Sequence, residues 1–224
     1  MTRGYRDYRE VKEVFNIAAW EPATELGRLV KSGSITSIEQ ILNMGKRIAE
    51  VEIVDALLPE LKNEIVEIIS VQRMTRNGRR QKFRATAIVG DGIGHVGVGS
   101  GKDIETKAAI DSAIKAAKRN IIPVVLGCGS WQCNCGQPHS LPFNVKGKCG
   151  SVEVSLRPGP KGLGVVASRY VKRMLELGGV KDIWTFSRGR TRTRYNTLMA
   201  VLDALKSILA MKNLESACVL EKQS

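Results

Sequence analysis

Between residues 65 and 120 the hydrophobic pattern changes its period, and the changes mark the elements. Val66, Ile68 and Val71 lead into a polar tip of Arg76, Asn77, Gly78, Arg79 and Arg80, after which Phe83, Ala85, Ala87 and Val89 recur at every second position. That alternation half-buries a strand, so the stretch predicts a hairpin. Gly90, Asp91 and Gly92 signal a second turn, because glycine tolerates the positive φ of tight turns, and residues 93–99 resume an extended pattern. From Asp103, as the expected cap, the period becomes about 3.6. Ile110, Ala113, Ile114 and Ala117 then share one face, with Lys107, Lys115, Lys118 and Arg119 off it. The expectation is a helix lying on a three-stranded sheet.

Upstream, residues 24–30, 37–48 and 53–58 read as short helices, the second with Ser37 as its N-cap and the third stopped by Pro59. They hold too little apolar surface to fold alone and are expected to wrap over the core unit or a neighbour. Residues 1–16 show no period and are expected to be extended, or ordered only on a partner. Downstream, residues 121–125 form an apolar link or edge strand. Val152, Val154 and Leu156 alternate as a strand; Val166, Tyr170, Met174 and Leu177 mark a helix face closed by Gly178 and Gly179; a strand follows around Ile183 and Trp184, and a last helix over 195–211. Strand, helix, strand, helix predicts an α+β layer with both helices on one sheet. The resulting division is an arm with short helices (1–62), a sheet-and-helix domain (63–127), a connecting segment (128–150), a C-terminal domain (151–211) and a tail (212–224).

Composition adds a partner class. A chain of 224 residues with 43% hydrophobic content can bury a core, and its formal charge of +13 favours polyanions. No apolar run approaches the roughly 20 residues of a membrane span, and the charged first residues carry no secretory segment, so a soluble protein without a membrane partner is expected. Five cysteines, odd in number and clustered, suit a reducing compartment.

Arg76, Arg79 and Arg80 at the hairpin tip, with Lys82 and Arg84 beside them, would converge on one rim with almost no acid to neutralise them; a solvated basic turn is the bland alternative. Lys102 sits in a glycine-rich stretch that fails as a phosphate-cradling loop, because Val96 stands where the first glycine belongs and Asp103 where the magnesium-holding hydroxyl belongs. Its glycines suit close packing, or close approach of the backbone to RNA, and Lys102 is left as a phosphate contact. Lys118 and Arg119 join the candidates from the helix. Lys161, leading through glycines into a helix start, predicts an anion-docking corner. Arg188, Arg190, Arg192 and Arg194 stand at alternate positions, and an extended backbone would send all four guanidinium groups to one side, where each can fork onto phosphate.

Cys128, Cys133, Cys135 and His139 follow the spacing C-x4-C-x-C-x3-H. Three thiolates and an imidazole suit tetrahedral zinc in a loop with little core of its own. The paired C-x-x-C knuckles of common zinc ribbons are absent, and the alternative is a set of reduced cysteines around Trp131, with His139 touching RNA or a neighbouring carbonyl. Neither His95 nor His139 has an evident carboxylate partner, and Asp182 and Asp203 form no cluster, so no acid–base machinery is visible.

Phe83-Arg84-Ala85 through Val89-Gly90-Asp91-Gly92, His95-Val96-Gly97-Val98-Gly99, Ala116-Ala117-Lys118-Arg119-Asn120, Gly150-Ser151-Val152-Glu153-Val154, Gly162-Leu163-Gly164-Val165-Val166 and Leu177-Gly178-Gly179-Val180-Lys181-Asp182-Ile183 together resemble the small-subunit ribosomal protein S-five family. The segment from Trp20 to Val30, Pro138-His139 and the cysteines look like its archaeal members. The resemblance implies a double-stranded-RNA-binding-like first domain and a second domain shared in type with ribonuclease P protein, including a left-handed βαβ crossover that ordinary handedness rules would not predict. It implies a cytoplasmic, structural role on the ribosome without catalysis or a required cofactor. The implied partners are small-subunit rRNA, ribosomal proteins S-four and S-eight, and mRNA where it enters the subunit, with a part in decoding accuracy. RNA shape would be read through phosphates and 2′-hydroxyls. A free-standing duplex-RNA-binding regulator is the alternative; it would not need the wrapping arm or a second basic face.

Overall fold

The computed structural model describes residues 20–210; the expected arm at 1–16 and the tail at 212–224 lie outside them. Three short helices come first, α1 (Glu25–Lys31), α2 (Ile38–Asn43) and α3 (Glu52–Leu57). Thr24 caps α1, its hydroxyl accepting the Gly27 N–H at 3.2 Å. Ser37 holds the N-cap position of α2 but makes no side-chain bond there. That helix stops at Asn43, short of the expected 48, where Gly45 takes a φ of 65° and turns the chain.

Strands β1 (Lys62–Thr75), β2 (Gly78–Gly90), β3 (His95–Asp103) and β4 (Ile121–Pro123) make one antiparallel sheet in that order, with helix α4 (Thr106–Arg119) between β3 and β4. The expected three strands thus gain a fourth from the apolar link. Asp103 does not cap α4. It still pairs with Phe83 at the end of β3, its carboxylate accepts the Ile104 N–H, and Glu105 stands at the N-cap. An extra residue in β1 at Val66 shifts the register between Ile65 and Glu67.

The two faces of this sheet have different duties. Ala85, Ala87 and Val89 pack with Ala109, Ala113 and Ala117 of α4, and Trp20, Leu26, Ile41 and Ile53 of the leading segments close over the same core, which is the wrapping expected of them. Gly97, Gly99 and Gly101 alternate along β3 on this side, and a Cβ on Gly101 would lie 2.5 Å from the Ala113 nitrogen. Missing side chains therefore let the helix backbone rest on the strand, which is the close-packing reading of the glycines. On the other face Ile88, Val96 and Val98 join the core of the second unit.

That unit is built from β5 (Val145–Cys149), β6 (Val152–Pro158), β7 (Val165–Val166), α5 (Arg169–Leu177), β8 (Ile183–Arg188) and α6 (Arg194–Leu209), with sheet order β5-β6-β8-β7. β7 runs parallel to β8 and α5 connects them; the other pairs are antiparallel. β5 lies within the span expected to be a connecting segment. Its Lys-Gly-Lys centre breaks apolar alternation because α6 presses on Gly147, where a Cβ would meet the Ala204 Cα at 2.9 Å. Val166 belongs to β7 rather than to the helix face, and α5 ends at Gly178 and Gly179 as expected. The result is α+β, two sheets with helices, one core shared by both units and a second beneath α4 and the leading helices.

Candidate nucleic-acid interface and metal centre

Beyond the packed base of the first sheet, the β1–β2 hairpin runs on as an arm in which every residue from Gln72 to Lys82 is exposed. The register fixes which side each cation takes, because directly paired residues share a face and successive residues alternate. Arg73 pairs with Arg80, Val71 with Lys82, Ile69 with Arg84, and Arg84 in turn with Lys102 of β3. Arg73, Arg80, Lys82, Arg84 and Lys102 therefore form one strip. Arg79 looks the opposite way with Met74, and Arg76 sits in the two-residue turn. Among the described residues no carboxylate pairs with any of these seven cations. The Arg84 Nε is buried without a hydrogen-bond partner, an unmet donor on the strip itself. Arg73 escaped the sequence reading because only the register of β1 places it opposite Arg80.

Other candidates are separated by the fold. Lys118 is bonded to Asp55 of α3, whereas Arg119 is exposed. Lys161 donates to Gln137 Oε1 at 3.0 Å, and the corner beside it is no helix start. The Gly164 N–H there already donates to Asp182 Oδ1 at 2.8 Å. Nor do the four arginines form an extended row. Arg188 ends β8, Gly189 reverses the chain at a φ of 86°, Arg190 and Arg192 lie in the turn, and Arg194 opens α6. Arg194 stacks over Tyr170 at 4.5 Å and reaches buried Glu67 of β1 at 3.4 Å, so it holds the two units together, while Arg188, Arg190 and Arg192 stay exposed. The second sheet also carries an open face that sequence reading did not single out, where half-exposed Trp184 and Phe186 stand beside Arg157.

Cys128, Cys133, Cys135 and His139 do converge, their ligand atoms all within 4.8 Å of one another. Cys128 Sγ lies 3.5 Å from Cys135 Sγ, and Cys133 Sγ lies 3.6 Å from His139 Nε2. A tetrahedron with metal–sulfur bonds of about 2.3 Å has edges of about 3.8 Å, so the four atoms are spaced for one ion. The Cys133 thiol is drawn down to about 6, first by the Cys135 thiol and then by the Lys161 and Cys135 N–H groups; burial, with the two neighbouring thiols, pushes Cys128 up to about 11. Cys133 is thus the more readily deprotonated of the two, and a cation favours the thiolate form of its cysteine ligands. Trp131 is 92% exposed and no cysteine core gathers around it, and His139 is buried, away from any external RNA.

Both histidines prove to have carboxylate partners. His139 Nδ1 lies 2.9 Å from Asp182 Oδ2, 43 positions along the chain, and His95 Nδ1 lies 2.6 Å from Asp91 Oδ2. Burial opposes the charge on Asp91, but the N–H groups of Gly94, Ile93 and His95, with the His95 ring, hold its carboxyl below the usual range. That turn binds the two units, since the Gly92 N–H donates to Leu177 O.

Two family models match the chain, ribosomal protein S5, N-terminal domain, over residues 61–125, and ribosomal protein S5, C-terminal domain, over residues 147–217. The chain is also similar along nearly its whole length to proteins named small ribosomal subunit protein uS5. That of Methanocaldococcus jannaschii is 52% identical, covering 90% of this chain and 93% of the relative. That of Aeropyrum pernix is 51% identical over 89% and 91%, and that of Pyrobaculum islandicum 51% over 89% and 98%.

Proposed function

The chain belongs to the ribosomal protein S5 family, and from that membership we infer that it is a structural, rRNA-binding protein of the small ribosomal subunit rather than an enzyme. Its place is the cytoplasmic ribosome; none of the described helices is long and apolar enough to cross a membrane. The observation that carries the RNA-binding reading is the strip of Arg73, Arg80, Lys82, Arg84 and Lys102, five cations aligned by register from the exposed arm down to β3, with no carboxylate among the described residues to neutralise them. Such a row follows a phosphate backbone without reading bases. Arg76 and Arg79 extend it around the tip, Arg188, Arg190 and Arg192 give a second contact, and Arg119 and Lys161 lie at the margins. Lys118 and Arg194 have protein partners and would meet RNA only alongside them.

Finer placement follows from the resemblance. We propose that ribosomal protein S-four lies against the first unit and S-eight near the second, and that mRNA passes close by where it enters the subunit. We also propose that Cys128, Cys133, Cys135 and His139 hold one zinc ion, whose part is to fix a loop that has little apolar core. Co-sedimentation of the purified chain with small subunits through high salt tests the assembly role, and release of the protein as a free duplex binder would overturn it. Elemental analysis, with Cys133→Ser and Cys135→Ser alongside, tests the metal.

A further inference from the structure

Asp182 is buried, with its two carboxylate oxygens directed to different segments. Oδ2 is 2.9 Å from Nδ1 of His139, and Oδ1 accepts the Gly164 N–H at 2.8 Å. His139 turns its other nitrogen, Nε2, to Cys133. The backbone repeats the connection, since the His139 carbonyl accepts both the Lys181 and the Asp182 N–H, and the Ser140 hydroxyl accepts the Gly159 N–H. The close His139–Asp182 contact lacks the alignment of a finished hydrogen bond, which leaves Nδ1 without a proper acceptor in a buried place.

We propose that Asp182 is a positioning residue for the metal centre: one oxygen holds the His139 ring with Nε2 toward the ion, and the other holds the 159–164 loop, so that metal occupancy also sets that loop. The inference rests on the reading that the cluster binds zinc. A ligating histidine must keep its ring orientation and place its remaining proton on the nitrogen away from the ion, and a carboxylate at Nδ1 does both. Because Asp182 lies just before β8 and Gly164 just before β7, the same carboxylate joins the connecting segment to the parallel edge of the second sheet. Lys161 lies in the loop so held, and its own N–H points to Cys133. Sequence reading could not find this arrangement, because a separation of 43 positions hides a contact only the fold creates.

The test uses the full chain with zinc, in Asp182→Asn and unaltered forms. The two oxygens of Asp182 face different donors, and in asparagine one of them becomes an NH2 group, so the contact with either His139 or Gly164 loses its acceptor. Competition with a chromogenic chelator should show zinc held about 10 to 100 times more weakly in Asp182→Asn. Its melting temperature should fall further in the zinc-loaded chain than in the stripped chain, whereas a purely structural residue would lower both equally. A second arm needs no variant: in the unaltered chain, stripping zinc should accelerate hydrogen exchange at the Gly164 amide. Unchanged zinc affinity in Asp182→Asn, or Gly164 exchange indifferent to zinc, would overturn the inference. An unaltered chain with no more zinc than Cys133→Ser removes the metal reading itself, and the inference with it, and is recognised by the elemental count alone.

Discussion

The hairpin arm and the turn from Arg188 to Arg194 start from similar sequences, each a dense alternation of cations without acids, and the backbone gives them opposite fates. In the arm, β1 and β2 keep their alternation, so residues two apart share a face and paired strands double the row. In the turn, Gly189 breaks the alternation after a single arginine, and buried Glu67 draws Arg194 into the seam between the two units. A charge run in a sequence is thus a supply of cations; the local φ and ψ decide whether it becomes an RNA-facing surface or part of the protein's own interior.

The sharpest way to break this contrast is the triple change Arg80→Ala, Lys82→Ala and Arg84→Ala. It should reduce the slope of log rRNA affinity against log salt by about two to three units while the affinities for different RNA sequences fall together. The matching triple, Arg188→Ala, Arg190→Ala and Arg192→Ala, should reduce the slope by about one to two units, since its side chains leave the backbone in different directions. Equal losses from the two triples would remove the distinction. Arg194→Ala should leave the slope nearly unchanged and lower unfolding free energy in urea by about 2 kcal/mol, because Glu67 keeps its burial and loses its partner. A salt slope that falls without a change in stability would return Arg194 to the RNA surface.

The smallest effect concerns the Asp91 turn that joins the units. Its folded carboxyl lies below the ordinary value, so its stabilising contribution is complete above about pH 4, the unfolded value, and is lost as the pH falls through the lower folded one. Asp91→Asn should therefore cost about 1 kcal/mol at neutral pH and make the acid limb of the unfolding curve shallower. An acid limb identical to that of the unaltered chain would show that the Asp91 carboxylate does not stabilise the turn.

Periodicity made both sheets, the C-terminal helix and the wrapping of the leading segments legible, because each buries an apolar stripe with its own spacing. It missed β5, where Gly147 serves helix contact rather than alternation, and it placed Val166 in a helix because apolar spacing alone does not separate a short strand from the turn before a helix. The candidate site divides similarly. The cysteines and His139 lie within 12 residues of one another and could be grouped by eye, whereas Asp182 and Arg73 acquire their roles from strand register and from a contact between distant segments.

The extra residue at Val66 has a last implication. Below it the β1–β2 pairing follows one count and above it another, so the bulge reconciles the packed base with the two-residue tip. Length can then be altered above that point without disturbing what lies beneath. Grafting two residues into each strand should carry the tip about 7 Å outward and leave every cation facing as it does now, whereas a single inserted residue would turn part of the arm over. The arm is in that sense a probe of adjustable reach, and a ladder of such grafts would measure how deep a groove it enters.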